Sequence, residues 1–146
     1  MDAKDEKILK LLRENSKLTT SQISKKLLMP VTTIHNRIKK LEKEGIIKRY
    51  TLELDNKKLG KMIAAFIHIN VDYIFLKSMK ISQNELTKKI KQNEYVEEAA
   101  MVTGVTDIII KVRVKNVEEL DYFVTKYLRN IEGIEKTQTM VILNEI

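Results

Sequence analysis

The sequence predicts an α+β protein. A helix-turn-helix unit, winged-helix-like, comes first, and a ferredoxin-like βαββαβ unit follows. Three observations predict it. Apolar residues recur every three or four positions up to about residue 44, whereas from residue 61 the period changes to apolar strand-like runs separated by two helical patterns. The chain has only four glycines and one proline, and each falls at a break between patterned segments. The excess positive charge is confined to one end: residues 1–60 hold 15 Lys and Arg against 8 Asp and Glu, and residues 61–146 hold 12 of each.

Each element has a local reason. The first helix is expected over 2–15, where Asp2 can cap the free amides and Ile8, Leu9 and Leu12 form a stripe. A second helix begins at Thr19, with Gln22 three residues on completing a capping box, and buries Ile23 and Leu27. The third runs over 30–44, with Val31, Ile34, Ile38 and Leu41 at buried spacing and Gly45 closing it. Pro30 must start or interrupt a helix there. IIKRYTLEL then reads as a strand, and DNKKLGK as a polar linker. MIAAFIHINV is apolar on both faces and predicts a strand covered on both sides. A helix is expected over 82–93, strands at VEEAAMV and DIIIKVRV, a helix from Val117 to about Asn130 capped by Asn116, and a closing strand at IEKTQTMVILNEI. That order is the split βαβ arrangement. Helices cover one face of its sheet, and the other needs a cover, for which a second copy of the sheet is the simplest.

The organisation follows: residues 1–50 as the helix-turn-helix domain, 51–60 as strand and linker, and 61–146 as the ferredoxin-like domain. The hydrophobic share of 43% is too high for a disordered chain, and 32% of residues are charged. The absence of Cys excludes disulfides, zinc-thiolate sites and thiol catalysis. No apolar run is long enough for a membrane span, and MDAKDEKILKLL lacks the features of a signal peptide, so a cytoplasmic location is expected, with no membrane partner.

A charge held at one end of a chain points to a polyanion there. The third helix supplies the pattern for duplex DNA. Its buried stripe leaves Thr32, Thr33, His35, Asn36, Arg37, Lys39, Lys40 and Lys43 outside the core. In a helix-turn-helix the N-terminal half of the second helix enters the major groove. Thr32, Thr33, His35 and Asn36 lie there, with short polar groups suited to base edges or a thymine methyl. Arg37 can reach a base or a phosphate. Lys39, Lys40 and Lys43 suit phosphates, and Lys25, Lys26, Lys48 and Arg49 extend the basic footprint. A merely solvated helix face is the plain alternative; turn, spacing and charge asymmetry weigh against it. His35 and His68 fall in different domains and without Cys make a poor metal site, so no metal and no cofactor are expected, and His68 reads as a packed or interface residue.

At this point the chain resembles the Lrp/AsnC family, the leucine-responsive or feast/famine transcription regulators. DEKILKLLRENSKLTTSQISKKL resembles the family's opening pair of helices. TTIHNRIKKLEKEGIIKRYTLELDNKKLG resembles its recognition helix, following strand and linker. VTGVTDIIIKVRVKNVEELDYFV resembles the effector segment with its T-G-x-x-D pattern, and TQTMVILNEI the closing strand. Two departures stand out. Leu28-Met29-Pro30 replaces the family's usual glycine and capping serine, which implies an altered path into the third helix, and Val105-Thr106 fills a pair that often includes an aromatic residue. The resemblance implies a sequence-specific regulator that dimerises and assembles into tetramers or octamers. It also implies an amino acid or related small molecule bound near Thr103, Gly104, Thr106 and Asp107. Gly104 would let a ligand approach the backbone and Asp107 would pair with an α-ammonium; alternatively TGVTD is only a turn whose Asp bonds local amides. Two rival classes remain: a small-molecule- or RNA-binding module without specific DNA regulation, and an enzyme. No G-x-S-x-G, Walker loop, H-E-x-x-H or His–nucleophile pair is present, so a non-enzyme is expected.

Overall fold

The computed structural model describes residues 1–145; Ile146, the end of the expected closing strand, lies outside the described residues. The chain divides into two compact units, Met1–Leu54 and Asp55–Ile146.

The first unit is three helices. α1 (Ala3–Glu14) starts at a capping box in which Asp2 and Asp5 each accept from the other's backbone amide. α2 (Thr20–Leu27) starts at the box formed by Thr19 and Gln22. These boxes satisfy amides that a helix start leaves unpaired. Ile8, Leu12, Ile23 and Ile34 form the core, with Leu11, Leu18, Leu27, Met29, Ile38 and Ile47 packed against it. α3 (Val31–Lys43) has Pro30 at its cap position and no side-chain cap bond. The turn before it is held from α2 instead: the Ser24 hydroxyl donates to the Met29 carbonyl at 2.5 Å, and the Met29 amide donates to the Ser24 carbonyl at 3.1 Å. Leu28 ends α2 in the left-handed region, φ 53° and ψ 45°, at a cost of about 1–2 kcal/mol that glycine would avoid. Val31, expected in the buried stripe, is 42% exposed, because as the first residue of α3 it lies before the helix meets the core. The strand expected at IIKRYTLEL does not form; 48–54 is irregular and exposed. A strand needs a partner for its ladder, and among the described residues of this unit there is no other strand.

The second unit has a four-stranded antiparallel sheet, ordered β2-β3-β1-β4. β1 is Ile63–Val71, β2 Val96–Met101, β3 Ile108–Val114 and β4 Ile134–Val141. Of the two helices expected, the one over 82–93 forms as α5 (Gln83–Lys91), and the other starts at Val117. A short helix, α4 (Tyr73–Met79), comes in addition, capped by Asp72, whose carboxylate accepts from the Phe75 amide at 2.9 Å. The last helix is not uniform. α6 (Val117–Tyr122) gives way to a π-helical stretch, Phe123–Tyr127, and a 3₁₀ turn, Leu128–Asn130. The core joins Ala65, Ile67, Ile69 and Val71 of β1 and Ile108, Ile110, Val112 and Val114 of β3 to Leu76, Leu86, Ile90, Leu120, Phe123 and Leu128.

The opposite sheet face is less apolar than the sequence reading expected. Side chains alternate across a strand, so Ala64, Phe66, His68 and Asn70 share it with Ile109, Lys111 and Arg113. The Arg113 guanidinium is nearly buried within one chain: its Nε lies 2.6 Å from Glu97 and its other end 2.8 Å from Glu145, which Lys111 also approaches at 2.8 Å. These two cations hold the Glu145 carboxyl down at about 2. Among the described residues no helix is long and apolar enough to cross a membrane, and no group of three His, Cys, Asp or Glu is placed to hold a metal.

Candidate functional site

α3 carries the first candidate surface. Ile34 and Leu41 are buried and Ile38 is half-buried, which fixes the helix's inward side. Thr32, His35, Asn36, Lys39, Lys40 and Lys43 are exposed, and Thr33 is half-exposed. Lys25 and Lys26 at the end of α2, and Lys48 and Arg49 beyond α3, are exposed in the same unit. Lys39 pairs with Glu42 at 3.4 Å and Lys40 with Glu44 at 3.8 Å. Such solvated pairs are weak, so phosphates can displace them. The whole set belongs to the unit that holds the excess positive charge.

Arg37 is differently placed. One guanidinium nitrogen lies 2.8 Å from the Asp2 carboxylate and 2.7 Å from that of Asp5. Asp5 is buried, and the Asp5 amide and Arg37 together pull the Asp2 carboxyl down to about 2. The Arg37 bond also lowers Asp5, and the two carboxylates raise Arg37. Arg37 therefore ties α3 to the start of α1, a long-range partnership that helical spacing does not reveal.

The second candidate surface is the loop between β2 and β3. Thr103 and Gly104 are exposed, and Gly104 has φ 116°, a region open to glycine. Thr106 and Asp107 turn inward. The Thr106 hydroxyl lies 3.2 Å from His68 Nδ1, and the Asn70 side-chain amide donates to the Val105 carbonyl at 2.7 Å. The Asp107 carboxylate accepts from the Val71 amide at 2.9 Å and the Tyr73 hydroxyl at 2.8 Å, while the Gln83 amide donates to the Asp107 carbonyl at 2.8 Å. The bond to Asp107 raises the Tyr73 hydroxyl's pKa. Loop, β1, α4 and α5 thus meet around Asp107. Tyr73, Gln83 and Asn70 escaped the sequence reading; the one available signal was Asp72, a capping residue just ahead of YIFLKSM.

Comparisons with known proteins bear on both surfaces. The family described as the Lrp/AsnC ligand binding domain matches residues 64–146, and that described as winged helix-turn-helix DNA-binding matches residues 1–48. An HTH-type transcriptional regulator of Pyrococcus horikoshii is 38% identical over 97% of this chain and 91% of its own length. The HTH-type transcriptional regulator FL11 of Pyrococcus furiosus is 37% identical over 98% of this chain and 89% of its own. Among solved structures, a transcriptional regulator of Neisseria meningitidis in complex with L-Met superposes with a TM-score of 0.91 at 25% identity, covering 100% of this chain and 92% of that one. AsnC of E. coli gives 0.85 at 26% identity, over 99% and 93%.

Proposed function

The chain belongs to the Lrp/AsnC family of transcription regulators, and from that premise we propose that α3 reads duplex DNA while the loop 103–107 serves an effector. The observation that carries the first half is the division of α3. Its inward side is spent on Ile34 and Leu41, and its outward side presents Thr32, Thr33, His35 and Asn36, then Lys39, Lys40 and Lys43. Polar groups come first, where base edges are met, and cations follow, where phosphates are met. Lys25, Lys48 and Arg49 widen the basic footprint. Arg37 holds the reading helix in place. The protein works without catalysis or cofactor, in the cytoplasm.

The reader is a homodimer or a larger assembly. The mixed sheet face supports this, since Ala64, Phe66, Ile109 and Met140 form an apolar part that a second copy would cover. The effector is an amino acid or a close analogue, in keeping with the L-Met-bound relative. Thr103 and Gly104 offer exposed backbone, Thr106 shapes the loop, and Asp107 pairs with the α-ammonium while still holding Tyr73.

Selection of duplexes from a random pool, with and without each amino acid, tests the reading. One preferred sequence is expected, shifted in affinity by at least one amino acid in wild type and not in Asp107→Ala. Equal retention of any duplex, or tighter retention of RNA, overturns DNA reading. Equal binding of the active amino acid to both proteins removes Asp107 from the effector site.

A further inference from the structure

Leu28 is 91% exposed and has a left-handed backbone, φ 53°. Both properties are unfavourable for leucine: the Leu28 and Met29 amides both donate to the Ser24 carbonyl and so support the turn, but they do nothing for a hydrocarbon side chain left in water. Glycine would relieve the backbone, and a polar residue would relieve the exposure. Lys80 is the other non-glycine residue with positive φ among those described, at φ 55°; its side chain is one that water solvates. Three residues later Val31, the first residue of α3, is 42% exposed although it was expected in the core. Val31 and His35 stand four apart and are both exposed, so they are neighbours on the outer side of α3. Three residues of chain span at most about 11 Å, so Leu28 and Val31 lie within one groove's width of each other. Exposed Lys25, Lys26, Lys39 and Lys40 belong to the same helix pair. A hydrocarbon pair on a helix pair this rich in exposed cations does not suit an apolar protein partner, but it suits a duplex. There the cations meet phosphates, and the one apolar group displayed in the major groove is the thymine 5-methyl.

We propose that Leu28 and Val31 are specificity-determining residues that contact thymine methyl groups beside the bases read by Thr33 and Asn36. This rests on the reading of α3 as the DNA-reading helix. Leu28 is retained, on this account, for its side chain's contact with DNA, at the expense of a relaxed turn.

The test uses the full-length chain and the duplex it selects from a random pool. Each thymine is replaced singly by deoxyuridine, which removes only the methyl. Binding is measured for wild type, Leu28→Gly, Leu28→Asn, Val31→Ala and Asn36→Ala. One or two thymines are expected to lose about fourfold in wild-type affinity on losing the methyl, the worth of one buried carbon. That sensitivity should vanish at one thymine in both Leu28 variants and diminish in Val31→Ala. It should persist in Asn36→Ala, which changes base preference elsewhere. Leu28→Gly should melt no lower than wild type in the absence of DNA; Asn, which tolerates the left-handed region, covers the case in which Gly loosens the turn. Selective wild-type binding with no methyl-sensitive thymine overturns this proposal alone, as does sensitivity unchanged in all three apolar variants. A Leu28 variant that alters sedimentation but not the deoxyuridine pattern makes the pair a self-association contact and overturns it too. If wild type selects no duplex, the reading of α3 falls and the proposal with it.

Discussion

Arg37 lies close to two carboxylates of the first helical turn, and one of them, Asp5, is buried. Both carboxyls are held below their ordinary range, Asp2 at about 2. A carboxyl whose pKa falls on folding adds stability above its unfolded value and loses it as pH drops through the folded one. The contribution is therefore largely complete above about pH 4 and is lost progressively as pH falls through about 2. Arg37→Ala should lower the melting temperature of the free protein at pH 7. The gap between variant and wild type should close as pH falls from 4 toward 2. Melting curves across that range check this, and a gap constant with pH would show that Arg37 stabilises by packing alone. Lys39 and Lys40 make only solvated pairs, so removing both should leave the melting temperature unchanged while lowering the salt slope of DNA binding by about one unit per lost phosphate contact.

Gly133 shows how one element fixes another. Its φ is 92°, a Cβ there would lie 2.7 Å from Leu76 in α4, and its carbonyl accepts from the Asp72 amide that starts α4. Gly133→Ala should destabilise the second unit by about 1–3 kcal/mol, through backbone strain and the clash with Leu76. Urea unfolding should show a lower midpoint at an unchanged slope. Elements with caps and periodic stripes were legible in the sequence: Asp2, Thr19 with Gln22, and Asn116 ahead of its helix all mark real starts. α4 was not legible, because seven residues are too few to establish a period. The change of helix type at Phe123 was not legible either, since Leu120, Phe123, Val124, Tyr127 and Leu128 together read as one α-helical apolar side. For the candidate sites, exposure along α3 followed from the buried stripe. The Arg37 and Asp107 partnerships did not, because they join residues more than 20 positions apart, a matter of tertiary packing rather than local spacing.

At the scale of the molecule, two units with separate cores divide two tasks. The first holds nearly all of the net charge: 13 Lys and Arg against 7 Asp and Glu, where the second has 14 against 13. The second has its own sheet and its own buried cluster, so residues 55–146 should fold when expressed alone and, through the partly apolar sheet face, form dimers. Sedimentation showing a stable monomer at micromolar concentration would oppose this. A symmetric dimer presents two α3 helices related by a dyad. Its preferred duplex should then be an inverted repeat with half-sites about one helical turn, or a multiple of it, apart. Footprinting reads this directly, and a protected region without a dyad would argue against it.

The π-helical stretch Phe123–Tyr127 also makes the chain's length adjustable at one place. The Leu128 amide donates to the Phe123 carbonyl, five residues back, so this turn holds one residue more than an α-helical turn. Removing one of the partly exposed pair Val124 and Thr125, or exposed Lys126, would let the segment close as ordinary α-helix with Leu120 and Phe123 undisturbed upstream. A single-residue deletion here should leave the second unit folded by circular dichroism, whereas the same deletion inside β1 would move every later side chain of that strand to the opposite face. One residue can thus be taken out at this helix while the fold on either side of it is kept.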